Sequence, residues 1–161
     1  MPTPSVAQYF AKHHNELDDC FKSFQAEKYQ NYGKAKEAFK RFKAGLERHI
    51  VWEEQLLFPL WEERAGMSDS GPTFVMRGEH RHIGQRLEAL LRKVQNENPD
   101  SAVEEEALTV LLKAHNMKEE RVLYPSLDKL ATDEERDDLY EKMKLVSEEQ
   151  YKVCCNQDYA R

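Results

Sequence analysis

Residues 49–59 read HIVWEEQLLFP and residues 115–125 read HNMKEERVLYP. Both stretches run His-x-x-x-Glu-Glu and end in leucine, an aromatic ring and proline, at an offset of 66 residues. Adding that offset to His14 gives His80, and it carries Leu17 onto Ile83, Phe21 onto Leu87 and Phe24 onto Leu90. One helical hairpin is thereby mapped onto a second, histidines included. A single H-x-x-x-E is a weak signal, because it arises often in glutamate-rich helices. Two copies with a common tail, each preceded by a histidine 35 residues earlier, are specific.

Around these stretches the apolar residues recur at alternate steps of three and four, the spacing of a helix face turned to a core. The first segment, about residues 5–26, offers Phe10, Leu17, Phe21 and Phe24. The second, about 34–65, offers Ala35, Phe39, Phe42, Leu46, Leu56 and Leu60, and Gly66 closes it. The third, from Pro72 to about Gln95, offers Met76, Ile83, Leu87, Leu90 and Val94. A loop of turn formers, Asn96 to Ser101, precedes the fourth, which runs to about Leu130 with Leu108, Leu112 and Val122. Thr132 and Glu135 form a capping-box pattern that starts a fifth helix. Pro59 and Pro125 fall inside helical patterns and should kink or end those helices. The expected fold is all-α: an antiparallel up-down-up-down four-helix bundle over about 4–131 with a C-terminal helix over about 132–156, one domain across 1–161. Leu139, Met143, Val146 and Tyr151 give that last helix an apolar face, for packing across a bundle end or for a homodimer contact.

Composition agrees. The chain has 161 residues, with only 6 glycines and 6 prolines to punctuate it, and 40% hydrophobic residues to fill one core. Twenty-four Lys and Arg against 30 Asp and Glu leave a charge of −6, which argues against binding nucleic acid or an anionic membrane. The longest apolar run, Leu56 to Trp61, is far too short to span a bilayer. The first residues carry neither a basic nor an apolar leader region. Three cysteines, two of them the adjacent Cys154 and Cys155, read as free thiols of a reducing compartment. Cys20 reads as a small core hydrophobe. A cytoplasmic protein is expected.

The seams are interrupted by His14, by His49 and Glu53, by His80, and by His115 and Glu119. Of the other two histidines, His13 maps onto Glu79 and His82 maps back onto Glu16, and both fall off the seams. Glu54 and Glu120 sit about 100° around the helix from their neighbours and should face away from the centre, as surface charges or as supports to the site. An unpaired carboxylate in such an interior costs several kcal/mol, and no Lys or Arg lies beside these glutamates on the seams. A divalent metal resolves the conflict, since imidazole nitrogens and carboxylate oxygens both become ligands. His and Glu at i and i+4 share a helix face and can reach one centre. Six ligands exceed a four-coordinate zinc site, and two glutamates free to bridge suggest two metal ions. Mixed nitrogen and oxygen ligation favours iron, with manganese the other choice.

These residues resemble the hemerythrin-like, or HHE cation-binding, domain family. The resemblance covers Pro4 to about Leu130 and rests on His14, His49-x-x-x-Glu53, the MRGEH run ending at His80, His115-x-x-x-Glu119 and the Leu-Phe-Pro and Leu-Tyr-Pro tails. It implies an antiparallel four-helix bundle around a bridged non-heme di-iron centre. It further implies that His14 and His49 hold one iron, His80 and His115 the other, and Glu53 and Glu119 bridge them. Gly84 stands where the oxygen-carrying members have a second histidine, and the last motif is H-x-x-x-E rather than their H-x-x-x-x-D. The chain is thus similar to the four-histidine, two-glutamate branch, which includes bacterial proteins that repair iron–sulfur clusters. The expected function is binding or sensing of dioxygen, nitric oxide or iron. An enzyme-like role in iron–sulfur cluster repair or in oxidant and nitric oxide reduction is the alternative, and a metal-free helical interaction module is the third reading.

Overall fold

The computed structural model describes residues 3–152 of the chain. Helix α1 (Val6–Glu27) starts at Ser5, whose side chain accepts from the Gln8 amide while the Gln8 side chain accepts from the Ser5 N–H. Asn31 caps α2 (Tyr32–Trp52). A five-residue π-helical turn, Glu53–Leu57, follows, and α3 (Phe58–Ala65) continues the same rod until Gly66, whose φ of 67° ends it in the left-handed region that glycine tolerates. Next come α4 (Pro72–Gln95) and α5 (Ala102–Lys118). A second π-helical turn, Glu119–Leu123, leads into α6 (Tyr124–Leu130). The expected capping box at Thr132 opens α7 (Asp133–Lys144). The chain is all-helical among the described residues, with α1 against α2 and α4 against α5.

The two prolines explain the π-turns. Pro59 and Pro125 have no N–H, and their rings would strike a carbonyl four residues back in a regular α-helix. The wider turn moves that carbonyl aside: the Phe58 N–H bonds to the Glu53 carbonyl and the Tyr124 N–H to the Glu119 carbonyl, each five residues back. The expected kink is therefore a one-residue bulge, and the helix goes on. The bulge also shifts the apolar phase. Leu56 and Leu60 were expected inside, yet Leu57, Phe58 and Trp61 are the buried residues; Val122 was expected inside, yet it is 57% exposed and Leu123, Tyr124 and Leu127 are buried.

The core falls into two clusters. Phe21, Phe24, Phe39, Phe42, Leu87 and Leu90 belong to one, and Phe10, Trp52, Leu57, Phe58, Tyr124 and Leu127 to the other. Along each long segment the seam residues, His14, His49 with Glu53, His80, and His115 with Glu119, lie between residues of the first cluster and residues of the second. Cys20 packs on the edge of the first cluster. Its far end is closed by a buried ion pair, Lys28 Nζ to Glu105 Oε2 at 2.5 Å, with Ser101 and Gln25 donating to the same carboxylate.

The C-terminal segment differs from the single helix expected. It divides into α7 and a short α8 (Glu148–Lys152), with Leu145–Ser147 between them. Leu139, Tyr140 and Met143 of α7 join the second cluster, Trp52 Nε1 donates to the Met143 carbonyl, and the Tyr140 hydroxyl donates to the Pro4 carbonyl. Cys154 and Cys155 lie outside the described residues.

The phase shift is checked by paired truncations. Leu123→Ala should destabilise the protein by about 2–5 kcal/mol in urea unfolding, and Val122→Ala by no more than about 0.5 kcal/mol. Equal losses would contradict the bulge.

Candidate metal centre

His14, His49, His80 and His115 all converge with Glu53 and Glu119, and all six are buried. The reason is local: each His-x-x-x-Glu pair straddles the junction of an α-helix and a π-turn, so both side chains stay on the inner face. Each glutamate presents one oxygen to each histidine pair. Glu53 Oε2 lies 3.6 Å from His49 Nε2, while its Oε1 lies 3.2 Å from His80 Nε2. Glu119 Oε1 lies 3.4 Å from His14 Nε2, while its Oε2 lies 3.2 Å from His115 Nε2. His14 Nε2 and His49 Nε2 are 3.1 Å apart. The donor atoms gather into two overlapping sets, Glu53, His80, His115, Glu119 and His14, His49, Glu119.

Every ring turns Nε2 to the centre and bonds outward through Nδ1. His14 Nδ1 meets Glu120 at 2.7 Å, His49 Nδ1 meets His13 Nδ1 at 2.8 Å, His80 Nδ1 meets Glu54 at 2.5 Å and His115 Nδ1 meets Glu79 at 2.9 Å. Such outer partners fix the tautomer that frees Nε2 for a ligand bond. They obey the 66-residue offset: Glu54 and Glu120 exchange between halves, and His13 stands where the other half has Glu79. Sequence reasoning set His13 aside as lying off the seam. It is buried, its ring edge to edge with His49 through the two Nδ1 atoms and the ring planes 5° apart. The repeat held the signal, since His13 pairs by offset with a residue that backs a seam histidine. Glu54 is likewise buried rather than turned away, whereas Glu120 is 40% exposed and His82 is exposed.

Tyr124 was also missed. Its ring is fully buried, and its hydroxyl shares one proton between Glu53 Oε2 at 2.6 Å and Glu119 Oε1 at 2.9 Å. Its counterpart Phe58 stacks on the His80 ring. A cavity of about 520 Å³ opens between α1 and α5, lined by Asp18, Lys22, Lys113 and Asn116, and it reaches His14 and Glu120.

Residues 5–127 match the hemerythrin HHE cation-binding domain. The chain belongs to that family. Over 54 residues it is 44% identical to the iron-sulfur cluster repair protein YtfE of Yersinia pseudotuberculosis serotype IB (strain PB1/+), a match covering 34% of this chain and 24% of that one. The YtfE proteins of Yersinia pestis strains Pestoides F and Angola are each 43% identical over 54 residues, with the same coverage. The match thus spans about a quarter of the length of these relatives. No solved structure matches the chain.

A hemerythrin-type domain implies bound metal, typically iron, and the residues fit one. Among the described residues, His80 Nε2, Glu53 Oε1 and Glu119 Oε2 are buried without a hydrogen-bond partner. Polar atoms left in this state are rare in native interiors unless an ion or water completes them.

Without metal, protons take its place. Burial alone would lower His80, but Glu53 and Glu54 on either side of its ring outweigh burial and lift it to about 10. His115 rises to about 9 against the same burial effect, held by Glu119 and Glu79. Burial and the neighbouring His49 push His13 down to about 3, so it backs His49 as a neutral ring. Burial and the facing carboxylates raise the Tyr124 phenol well above its ordinary value.

A pH dependence follows. His80 and His115 bind protons more tightly folded than unfolded, so their stabilisation is complete below their ordinary value of 6.5 and is lost as pH rises through about 9 and about 10. Metal-free protein should therefore melt at progressively lower temperature from pH 6.5 to 10. Metal-loaded protein, in which protons no longer hold the rings, should give a much flatter profile by calorimetry over that window.

Proposed function

We propose that this chain is a non-heme di-iron protein that binds or senses a small diatomic ligand, dioxygen or nitric oxide. The observation that carries the reading is the pair of buried glutamates, each offering one oxygen to each histidine pair. In this reading His14 and His49 hold one iron, His80 and His115 hold the other, and Glu53 and Glu119 bridge them. The four long segments form an antiparallel up-down-up-down bundle around the centre, within a single domain, in the cytoplasm. Iron is favoured over manganese by the family and by the four imidazoles.

When bound, the metal pair supplies one-electron chemistry and coordination positions for a small ligand. The chain's own residues do the rest. Glu120, His13, Glu54 and Glu79 hold the four rings in the tautomer that points Nε2 inward. Phe10, Phe58 and the π-turn leucines exclude bulk water from the centre. Gly84, buried one turn after His80, places no side chain over that half and leaves a position for an exogenous ligand. The opening between α1 and α5 brings solvent up to the outer edge of the centre at His14 and Glu120.

A second reading has one specific support: the curated relatives are named for iron-sulfur cluster repair. An enzyme-like role in repair, or in reduction of nitric oxide or an oxidant, would use the same open position. Stopped-flow mixing of reduced protein with oxygen or nitric oxide separates the readings, because a stable adduct favours binding and repeated turnover favours catalysis.

Purified protein should carry about two metal ions per chain. His49→Ala and His115→Ala should lower that number, and His82→Ala should not. His13→Ala should weaken metal retention by about 10–100-fold, the usual effect of removing a ring's outer partner. Gly84→His should keep both metals but blunt the spectral response to azide. A His82→Ala protein that loses metal would show that the wrong histidine of α4 has been chosen.

A further inference from the structure

The two halves of the centre are not alike, and one difference lies at Tyr124. Its hydroxyl oxygen is 2.6 Å from Glu53 Oε2, 2.9 Å from Glu119 Oε1, 3.3 Å from His49 Nε2 and 3.4 Å from His14 Nε2. These are the four donor atoms that face the His14–His49 half. Two ligands at right angles on one metal, each about 2.1 Å from it, stand about 3.0 Å apart. The separations from Tyr124 scatter around that figure, as they would for a fifth ligand set over the other four.

A simple hydrogen-bonding role accounts for less. One phenol proton can serve two carboxylate oxygens, but it leaves both imidazole nitrogens beside the oxygen with long contacts. A shared ion gives all five atoms a partner. Among the described residues no such oxygen stands in the other half, where the 66-residue offset places Phe58. That ring stacks on His80 with centroids 5.6 Å apart and an interplanar angle of 10°, and it carries no oxygen.

We propose that Tyr124 is a metal ligand, its phenol oxygen completing the His14–His49 half so that exogenous ligands are directed to the His80–His115 half. The proposal rests on the two-metal reading above. Coordination releases the phenol proton to solvent, and no electron is transferred in that step. The chain then supplies five donors to one metal and four to the other, and the unsymmetrical pair presents one reactive face.

The test uses full-length protein loaded with iron and oxidised. The native protein should show a visible phenolate-to-iron charge-transfer band, and Raman excitation into it should enhance phenolate ring modes. Tyr124→Phe should lose both signals, release one of its irons to a chelator at least tenfold faster, and bind a second azide where the native protein binds one. Phenylalanine already fills the equivalent place at Phe58, so the variant keeps the packing. A native protein with two irons and no such band overturns the assignment and leaves the two-metal reading standing. A band that persists in Tyr124→Phe, or an unchanged azide stoichiometry, also overturns it. A native protein that retains no metal overturns the two-metal reading itself.

Discussion

Two carboxylates with no exposure to solvent, Glu53 and Glu119, set the terms for the rest of this molecule. An ionised carboxylate inside a helical protein needs positive charge close by, and among the described residues no lysine or arginine pairs with either of them. Four imidazoles stand in their place, each able to hold either a proton or a metal. The demand then propagates outward. A ring that must face inward through Nε2 needs an acceptor for Nδ1, which accounts for the buried Glu54 and for His13 lying edge to edge with His49. The outermost carboxylates, Glu79 and Glu120, are reached by solvent, and Glu79 is further paired with Lys118 at the surface. Charge thus decays from the centre in layers of hydrogen bonds.

Much of this could be read from the chain itself. The turn signals at Gly66, Pro72, Ser101 and Thr132 bound the helices, because capping and glycine conformation are local properties. The offset repeat singled out four histidines and two glutamates, because residues on a seam must share a centre. The phase beyond each His-x-x-x-Glu was not legible. A π-turn adds one residue to a rod, and a period of 3.6 carried across it points Leu56 and Val122 inward when Leu57 and Leu123 are the ones buried. Tyr124 was hidden for the same reason, since it falls on the displaced phase. His13 and Glu54 were hidden because seam geometry credits residues for facing the core and is blind to those that touch the side of a buried ring. The Lys28–Glu105 pair joins residues 77 positions apart, and no local pattern announces it.

The symmetry of the repeat and its breaks have different origins. Several positions that fill the core are matched in kind across the halves: Leu17 with Ile83, Phe21 with Leu87, Leu57 with Leu123. Two of the mismatches lie at the centre, where His13 faces Glu79 and Tyr124 faces Phe58 across the offset. Packing tolerates either member of each pair at nearly constant volume, so the differences are chemical: one ring for a carboxylate, one hydroxyl for a hydrogen. Both place the extra neutral nitrogen and the extra oxygen on the His14–His49 side.

The prolines after the π-turns also fix where those turns can be. A bulge in a helix migrates when successive amides trade a partner four residues back for one five residues back, a peristaltic slip that rotates every side chain it passes by about a quarter turn. Phe58 and Tyr124 are the last residues able to make that trade, because Pro59 and Pro125 have no amide hydrogen to carry it further. Each bulge is therefore stopped on its C-terminal side. Glu53 and Glu119 cannot be swept off the inner face by a slip in that direction, and any rearrangement of the centre must travel back toward His49 and His115 instead.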